Sequence, residues 1–123
     1  EELNLQIFIV AIPMGSLACA ILAINNLRDR AQDQIVGKKT LAVRLGDSGA
    51  RKIYIALLIS SHLFALLTLA PAVLLTLLAT PLTWSLARGV VRGVSDADLI
   101  PYLAKTGKLQ LAFALLFALG LII

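Results

Sequence analysis

The sequence has 123 residues, of which 59% are hydrophobic and 15% are charged, and its mean hydropathy is +0.92. This composition lies outside the range of ordinary soluble domains and predicts a membrane protein. The single cysteine, Cys19, excludes an intrachain disulfide and a cysteine-rich metal site. The net charge of +4 would suit nucleic acid, but the sequence has no basic stretch with interleaved aromatic residues. We therefore exclude nucleic-acid binding.

Four apolar runs divide the chain, and each is predicted to span a membrane. They cover residues 5–24, 53–69, 72–87 and 109–123. The first would reach about 30 Å as a helix, which is the thickness of a hydrocarbon core. Only Ala70 and Pro71 separate the second run from the third, which predicts a tight hairpin. The predicted fold class is all-α: a polytopic transmembrane helix bundle in which residues 1–123 belong to one domain.

All eleven lysines and arginines lie in two polar segments, residues 25–52 and 88–108. With four spans these segments face the same side of the membrane, while the hairpin and the N-terminal run carry no basic residue. The positive-inside rule then predicts that both segments are cytoplasmic. Tyr54, Trp84 and Tyr102 fall near that same side, as expected for an aromatic belt.

A row of polar residues follows the first span. Asn25, Asp29 and Asp33 are four residues apart, so they share one face of a helix. Neighbouring carboxylates repel each other unless a cation neutralises them. One interpretation is a solvated helix end balanced by Arg28 and Arg30. The other is a site for a hard cation such as Mg²⁺, which often binds through one or two carboxylates plus substrate phosphates. Spacing alone leaves both open, although polar residues near the membrane interior usually face a cavity or a partner.

The segment Gly37-Lys38-Lys39-Thr40 comes after this row. Gly37 is predicted to end any helix that continues through the aspartates. The lysines are either a solvated basic loop attracted to anionic headgroups or contacts for a diphosphate. Both interpretations remain open.

Two later helix starts are predicted from capping residues. Asp47 or Ser48 would cap the second span's helix, and Ser95, followed by Asp96 and Asp98, would cap a later one. In mid-span, His62 has either a functional role or a hydrogen bond between packed helices, and we favour packing.

The segment from Asn25 to Asp33 reads N-N-L-R-D-R-A-Q-D, and that from Gly37 to Gly46 reads G-K-K-T-L-A-V-R-L-G. Together they resemble the second aspartate-rich motif of the UbiA superfamily of intramembrane prenyltransferases. The N-N-x-R lead-in is most similar to the branch that prenylates 1,4-dihydroxy-2-naphthoate in menaquinone and phylloquinone synthesis. The resemblance implies a bacterial inner-membrane protein with the motif in the cytoplasm.

This resemblance also implies a fold of nine helices around a central cavity, with this chain as the last four. The family's first motif, of the N-D-x-x-D type, does not occur in the sequence. The sequence also lacks an initiator methionine, so we expect a piece of a longer protein. The missing N-terminal helices of that protein would supply the first motif, and we expect the piece alone to be inactive.

The resemblance implies a mechanism as well. Asp29 and Asp33 would hold Mg²⁺ and the diphosphate of a polyprenyl donor. Charge developing on the departing diphosphate would be met by cations, and the allylic cation would alkylate the naphthoate ring with loss of its carboxylate. The prenyl tail would lie among the apolar helices. The residues implied in diphosphate binding are Arg28, Lys38, Lys39 and Arg44, and those implied in contact with the acceptor or a metal-bound water are Asn25 and Asn26.

Two alternatives remain at this point. A prenyltransferase of the same superfamily with another aromatic acceptor would carry the same motif. A four-span cation-transport or assembly protein would use the acid pair to line an ion path.

Overall fold

The computed structural model of the protein describes residues 2–66 and 76–122. These ranges contain four α-helices and two short 3₁₀ turns, Leu77–Ala79 and Asp96–Leu99, which precede the last two helices. The helices are α1 (Glu2–Ile35), α2 (Leu41–Leu66), α3 (Thr80–Val91) and α4 (Ile100–Ile122). No strand occurs in the described ranges, which confirms the all-α prediction.

Three stretches are long and apolar enough to cross a membrane: Ala11–Ile35, Leu41–Leu66 and Asp96–Leu119. They confirm the predicted helical membrane bundle. Of the predicted span 72–87, the described part forms a 3₁₀ turn and the first residues of α3, which has 12 residues. The hairpin predicted at 70–71 lies outside the described residues, so the count of four spans remains a prediction.

The helices extend well beyond the predicted spans. The first continues through the acid row to Ile35, α2 starts at Leu41 rather than 53, and α4 starts at Ile100 rather than 109. Charged residues mark these extensions, but charge does not stop a helix whose polar face is exposed. The two polar segments are therefore largely helical.

Helix α1 packs along α2 and also contacts α4, while α3 contacts both α2 and α4. The α1 contact is a ridge of buried residues spaced three and four apart, as helix packing requires. It consists of Leu17, Ala20, Ile24 and Leu27. Facing them are Ala50, Tyr54 and Leu58 of α2 and Leu109, Phe113 and Phe117 of α4.

Buried hydrogen bonds connect the helices inside this core. The Tyr54 hydroxyl lies 2.7 Å from Oγ1 of Thr106, which in turn donates to the carbonyl of Tyr102 at 2.7 Å. Nε2 of His62 lies 2.8 Å from Oγ1 of Thr83, and its ring meets Phe113 edge-on at 5.4 Å between centroids. His62 thus makes the bond between packed helices that we favoured from the sequence.

At Gly89 the Tyr102 ring of α4 packs directly on the α3 backbone. A side chain at residue 89 would collide with that ring. Glycine at residue 89 therefore leaves the space that the Tyr102 ring occupies.

Candidate functional site

The acid row is held by a helix that ends directly after it. Gly37 has a φ of +80°, its N–H donates to the carbonyl of Gln34 at 3.3 Å, and the N–H of Lys38 donates to the carbonyl of Asp33 at 2.8 Å. These two bonds form a Schellman motif, in which a left-handed glycine satisfies the last carbonyls of a helix. The prediction that Gly37 ends this helix is confirmed. The same turn holds the backbone of Lys38 next to Asp33, the last residue of the row.

The next helix begins almost at once. Oγ1 of Thr40 accepts a hydrogen bond from the N–H of Val43 at 3.3 Å, so Thr40 caps α2. Helix α2 consists of two helical segments, and the one that carries the second span starts next to Asp47, where a helix start was predicted. A cap at Asp47 or Ser48 stays a prediction. Gly46, with φ 77° and ψ 175°, kinks α2 immediately before Asp47. The glycine and the threonine of the G-K-K-T segment are therefore a helix stop and a helix start.

The acid row faces away from the core of this chain. Asn25, Asp29 and Asp33 are all helical and all partly exposed. Asp33 is nine residues after the buried Ile24, which is about 2.5 turns and places it on the opposite side of the helix. Asp33 therefore lies on the side of α1 away from Ile24.

Arg28 connects two members of this row. Its Nε donates to Oδ1 of Asp29 at 3.0 Å, and its Nη2 donates to Oδ2 of Asp29 at 3.2 Å and to Oδ1 of Asn25 at 2.7 Å. The two paired side chains are 28% and 42% exposed. Ion pairs this exposed contribute little to stability because water screens them, so a ligand of higher charge can replace either partner.

An apolar groove opens next to the row between α1 and α2, with a volume of about 300 Å³. From α1 it is lined by Cys19, Leu22 and Asn26, which lie on one face of the helix. From α2 it is lined by Leu41, Leu45, Ile53 and Leu57, among others. Asn26 is two turns before Asp33 on this face, so Asp33 lies on the same side of α1 as the groove.

The structure brings some of the predicted site residues together and leaves others apart. Asn25, Arg28 and Asp29 are bonded, and Nε of Arg44 donates to the carbonyl of Lys39 at 3.3 Å. Within the described ranges, the lysine side chains make no hydrogen bond or ion pair with the row. Nor does any group of three His, Cys, Asp or Glu side chains form in the part of the chain that the structure describes.

One polar contact at this end of the bundle was missed from the sequence. Arg51 is only 9% exposed, and its Nη1 donates to the carbonyls of Val90 at 2.8 Å and Val94 at 2.7 Å. Asp47 accepts from its Nε and Nη2 at 2.8 and 3.1 Å. Only the four-residue spacing of Asp47 and Arg51 was readable in the sequence, because the carbonyls lie 39 and 43 residues further along.

The carbonyls that Arg51 binds belong to a second Schellman motif. Gly93 has a φ of +98°, its N–H bonds to the carbonyl of Val90, and the N–H of Val94 bonds to that of Gly89. In the turn that follows, Ser95 takes the predicted capping position, but its side chain makes no capping hydrogen bond.

Residues 1–104 match the UbiA prenyltransferase family. The chain belongs to this family. Membership agrees with the helical fold and with three stretches able to cross a membrane, and it makes the chain part of an integral membrane protein. No solved structure gives a significant match to the chain.

Five curated proteins named 1,4-dihydroxy-2-naphthoate octaprenyltransferase are similar to this UbiA family member. The protein from Escherichia coli is 43% identical over 114 residues, 87% of this chain and 36% of its own length. That from Mycobacterium tuberculosis is 40% identical over 110 residues, 88% of this chain and 38% of its own length. That from Haemophilus influenzae is 39% identical over 129 residues, all of this chain and 42% of its own length. The chain thus spans less than half the length of these relatives.

Proposed function

We propose that the full-length protein containing this chain transfers a prenyl group from a polyprenyl diphosphate to 1,4-dihydroxy-2-naphthoate, in a Mg²⁺-dependent step of menaquinone or phylloquinone synthesis. In this proposal the chain is the last four helices of a nine-helix domain and supplies its second aspartate-rich motif. The shared family and the names of the similar proteins support this reaction.

One observation carries the proposal: the carboxylates of the row follow Asn26, the polar residue that lines an apolar groove, within two turns of the same helix. Asp29 and Asp33 are at the row's outer end, and Asn26 lines the groove beside the row. A polyprenyl diphosphate likewise combines a polar and an apolar part: a strongly anionic head on a long apolar tail. The head therefore fits the row with its neighbouring cations, and the tail fits between α1 and α2.

The donor atoms of the row suit a magnesium ion. Carboxylate and amide oxygens are the hard ligands that Mg²⁺ prefers, and it usually takes only one or two carboxylates from a protein. Asp29 and Asp33 would hold the ion, and Asn25 lies one turn away for a metal-bound water. Diphosphate oxygens and the first motif of the full-length protein would complete the coordination.

The cationic residues then act on the diphosphate. When bound, Mg²⁺ supplies positive charge next to the leaving oxygen atoms. Arg28 exchanges its exposed contact with Asp29 for the anionic substrate, and Lys38, Lys39 and Arg44 add charge from the connection after the row. As the allylic C–O bond breaks, its electron pair leaves with the diphosphate, where these groups stabilise it.

The aromatic acceptor completes the reaction. A ring carbon of the naphthoate forms the new C–C bond with the allylic carbon, and the ring loses its carboxylate as carbon dioxide. Asn25 and Asn26, deeper in the membrane than the aspartates, would position the acceptor's polar groups by hydrogen bonds. The basic residues on this side support a cytoplasmic position for the motif, which for a bacterial protein would mean the inner membrane.

Membranes that contain the full-length protein provide the test. They are supplied with octaprenyl diphosphate and either 1,4-dihydroxy-2-naphthoate or 4-hydroxybenzoate, with Mg²⁺ or with EDTA. We expect a prenylated naphthoate product that requires Mg²⁺, and its loss in Asp33→Asn. Asp98→Asn removes the same charge from an exposed position at the same end of the bundle and should retain activity. Prenylation of 4-hydroxybenzoate alone would overturn the acceptor, and an active Asp33→Asn variant would overturn the metal role.

A further inference from the structure

A second groove lies on the opposite side of α2. It has a volume of about 430 Å³ and lies between α2 and α3. Ile53 lines the first groove and Ile55 lines the second, and these residues flank the buried Tyr54 on its two sides. Since successive helical residues are about 100° apart, the two grooves open on different faces of α2. The second groove is therefore separate from the acid row.

This groove combines an apolar wall with a cationic end. Its apolar wall includes Ile55 and Ile59 of α2 and Trp84 of α3, and Trp84 is 68% exposed. Trp84, Arg88 and Arg92 are four residues apart, so the indole and both guanidinium groups follow one face of α3. The arginines lie where α3 ends, next to the turn that Arg51 binds, and so at the polar end of the bundle.

The two arginines have no partner to neutralise them. Both are exposed, and in the described parts of the chain neither makes a hydrogen bond or an ion pair through its side chain. Lys52 is also exposed and lies one turn before Ile55 on the same face of α2, which adds a third positive charge near this end. Attraction to the C-terminal end of the helix dipole favours basic residues there, but it does not account for the apolar groove beside them.

From this combination we propose that the groove between α2 and α3 binds an anionic phospholipid. The lipid phosphate lies between Arg88 and Arg92, and one acyl chain follows Ile55, Ile59 and Trp84 towards the membrane interior. Basic residues at the membrane surface attract anionic headgroups, and a tryptophan ring suits the boundary between headgroup and chain. A zwitterionic lipid offers the same chains but no net charge, so the site discriminates between headgroups.

The indole of Trp84, the only tryptophan in this sequence, provides the probe. The full-length protein in detergent is titrated with brominated phosphatidylglycerol or brominated phosphatidylcholine, and the fluorescence difference from Trp84→Phe isolates the signal of Trp84. We expect phosphatidylglycerol to quench at a much lower concentration than phosphatidylcholine. Arg88→Gln with Arg92→Gln should raise the phosphatidylglycerol midpoint about 30-fold, since each basic residue contributes roughly a factor of five.

Matched controls keep the outcome clear. Lys105→Gln with Lys108→Gln removes the same charge from α4 and should leave the phosphatidylglycerol midpoint unchanged. Arg88→Lys with Arg92→Lys should retain most of the binding, and an unchanged phosphatidylcholine curve shows that the glutamine variant is folded.

Three results would overturn the proposal. Equal quenching by both lipids would mean a non-selective apolar surface. An absence of quenching would mean that another helix of the full-length protein covers the groove. Displacement of phosphatidylglycerol by octaprenyl diphosphate, added at the concentration that saturates prenyl transfer, would assign the groove to the substrate instead.

Discussion

Two Arg–Asp ion pairs occur within the described residues, Arg28–Asp29 and Arg51–Asp47, and both are at the polar end of the bundle. The first joins adjacent residues of α1, and both partners are partly exposed. In the second, Arg51 is buried and also binds two carbonyl groups at the end of α3. The two pairs have the same chemistry, but only the second arginine also binds backbone carbonyls of another helix. The first can exchange a partner for a ligand, whereas the second holds helices together.

The largest effect should come from neutralising the acid of the first pair. In the full-length protein, we expect Asp29→Asn to lower kcat for prenyl transfer by about 100- to 1000-fold, as is typical when one electrostatic contact to a transition state is lost. Its thermal stability should stay close to wild type because the pair is exposed. The same change at Asp47 should lower stability but leave kcat of the folded protein unchanged. Equal kinetic effects at both positions would remove the distinction between the pairs.

A large stability effect should come from the arginine of the second pair. Arg51→Met leaves the carbonyls of Val90 and Val94 without their donor and Asp47 without its partner. We expect a loss of about 3 kcal/mol, measured by unfolding of the full-length protein in detergent. Lys108→Met changes an exposed charge on α4 and should stay within about 0.5 kcal/mol of wild type. A stable Arg51→Met variant would mean that this pair does not hold α3.

A smaller effect is expected at the turn between α1 and α2. Gly37→Ala places a Cβ at a φ of +80°, which costs about 1–2 kcal/mol in the left-handed region. Gly15→Ala is the matched control, because Gly15 lies within α1 and a Cβ there meets nothing within 4 Å. If the turn positions Lys38 for the diphosphate, Gly37→Ala should also raise KM for the donor. An unchanged KM would separate the turn from the site.

The smallest effect should come from the cap of α2. Thr40→Ala removes the side-chain acceptor for the N–H of Val43, at a cost of about 1 kcal/mol. Thr40→Ser keeps the oxygen and should restore the stability. Failure of serine to do so would mean that the threonine methyl group, rather than the cap, is responsible.

Local patterns in the sequence predicted local structure well. The four-residue spacing placed Asn25, Asp29 and Asp33 on one helical face, and Gly37 ends that helix as expected. The same local reasoning placed a helix start at Asp47 or Ser48, next to the kink at Gly46, but it took the charged residues before that point as a loop and so missed the first segment of α2. Thr40 was available as a cap, but nothing local distinguishes a charged helical turn from a charged connection.

Contacts between distant segments could not be predicted. Arg51 was one of seven basic residues in its segment, and its selection depends on carbonyls at the far end of α3. Carbonyl groups have no signature in a sequence, since every residue carries one. The bond from Tyr54 to Thr106 is hidden for the same reason, because it depends on how α2 meets α4. The motif could thus be recognised in the sequence, while the hydrogen bonds that connect α2 to α3 and α4 could not.

The connection between α1 and α2 has a further consequence for substrate binding. The N–H groups of Gly37 and Lys38 are already bonded to α1, the carbonyl of Lys39 accepts from Arg44, and Thr40 caps α2. The backbone of Lys38 and Lys39 therefore has little freedom left to lose. Ordering a free residue costs about 1–2 kcal/mol in conformational entropy, and that cost is met during folding instead. Binding a diphosphate here requires mainly side-chain ordering, so the binding entropy should be less unfavourable than for a disordered loop.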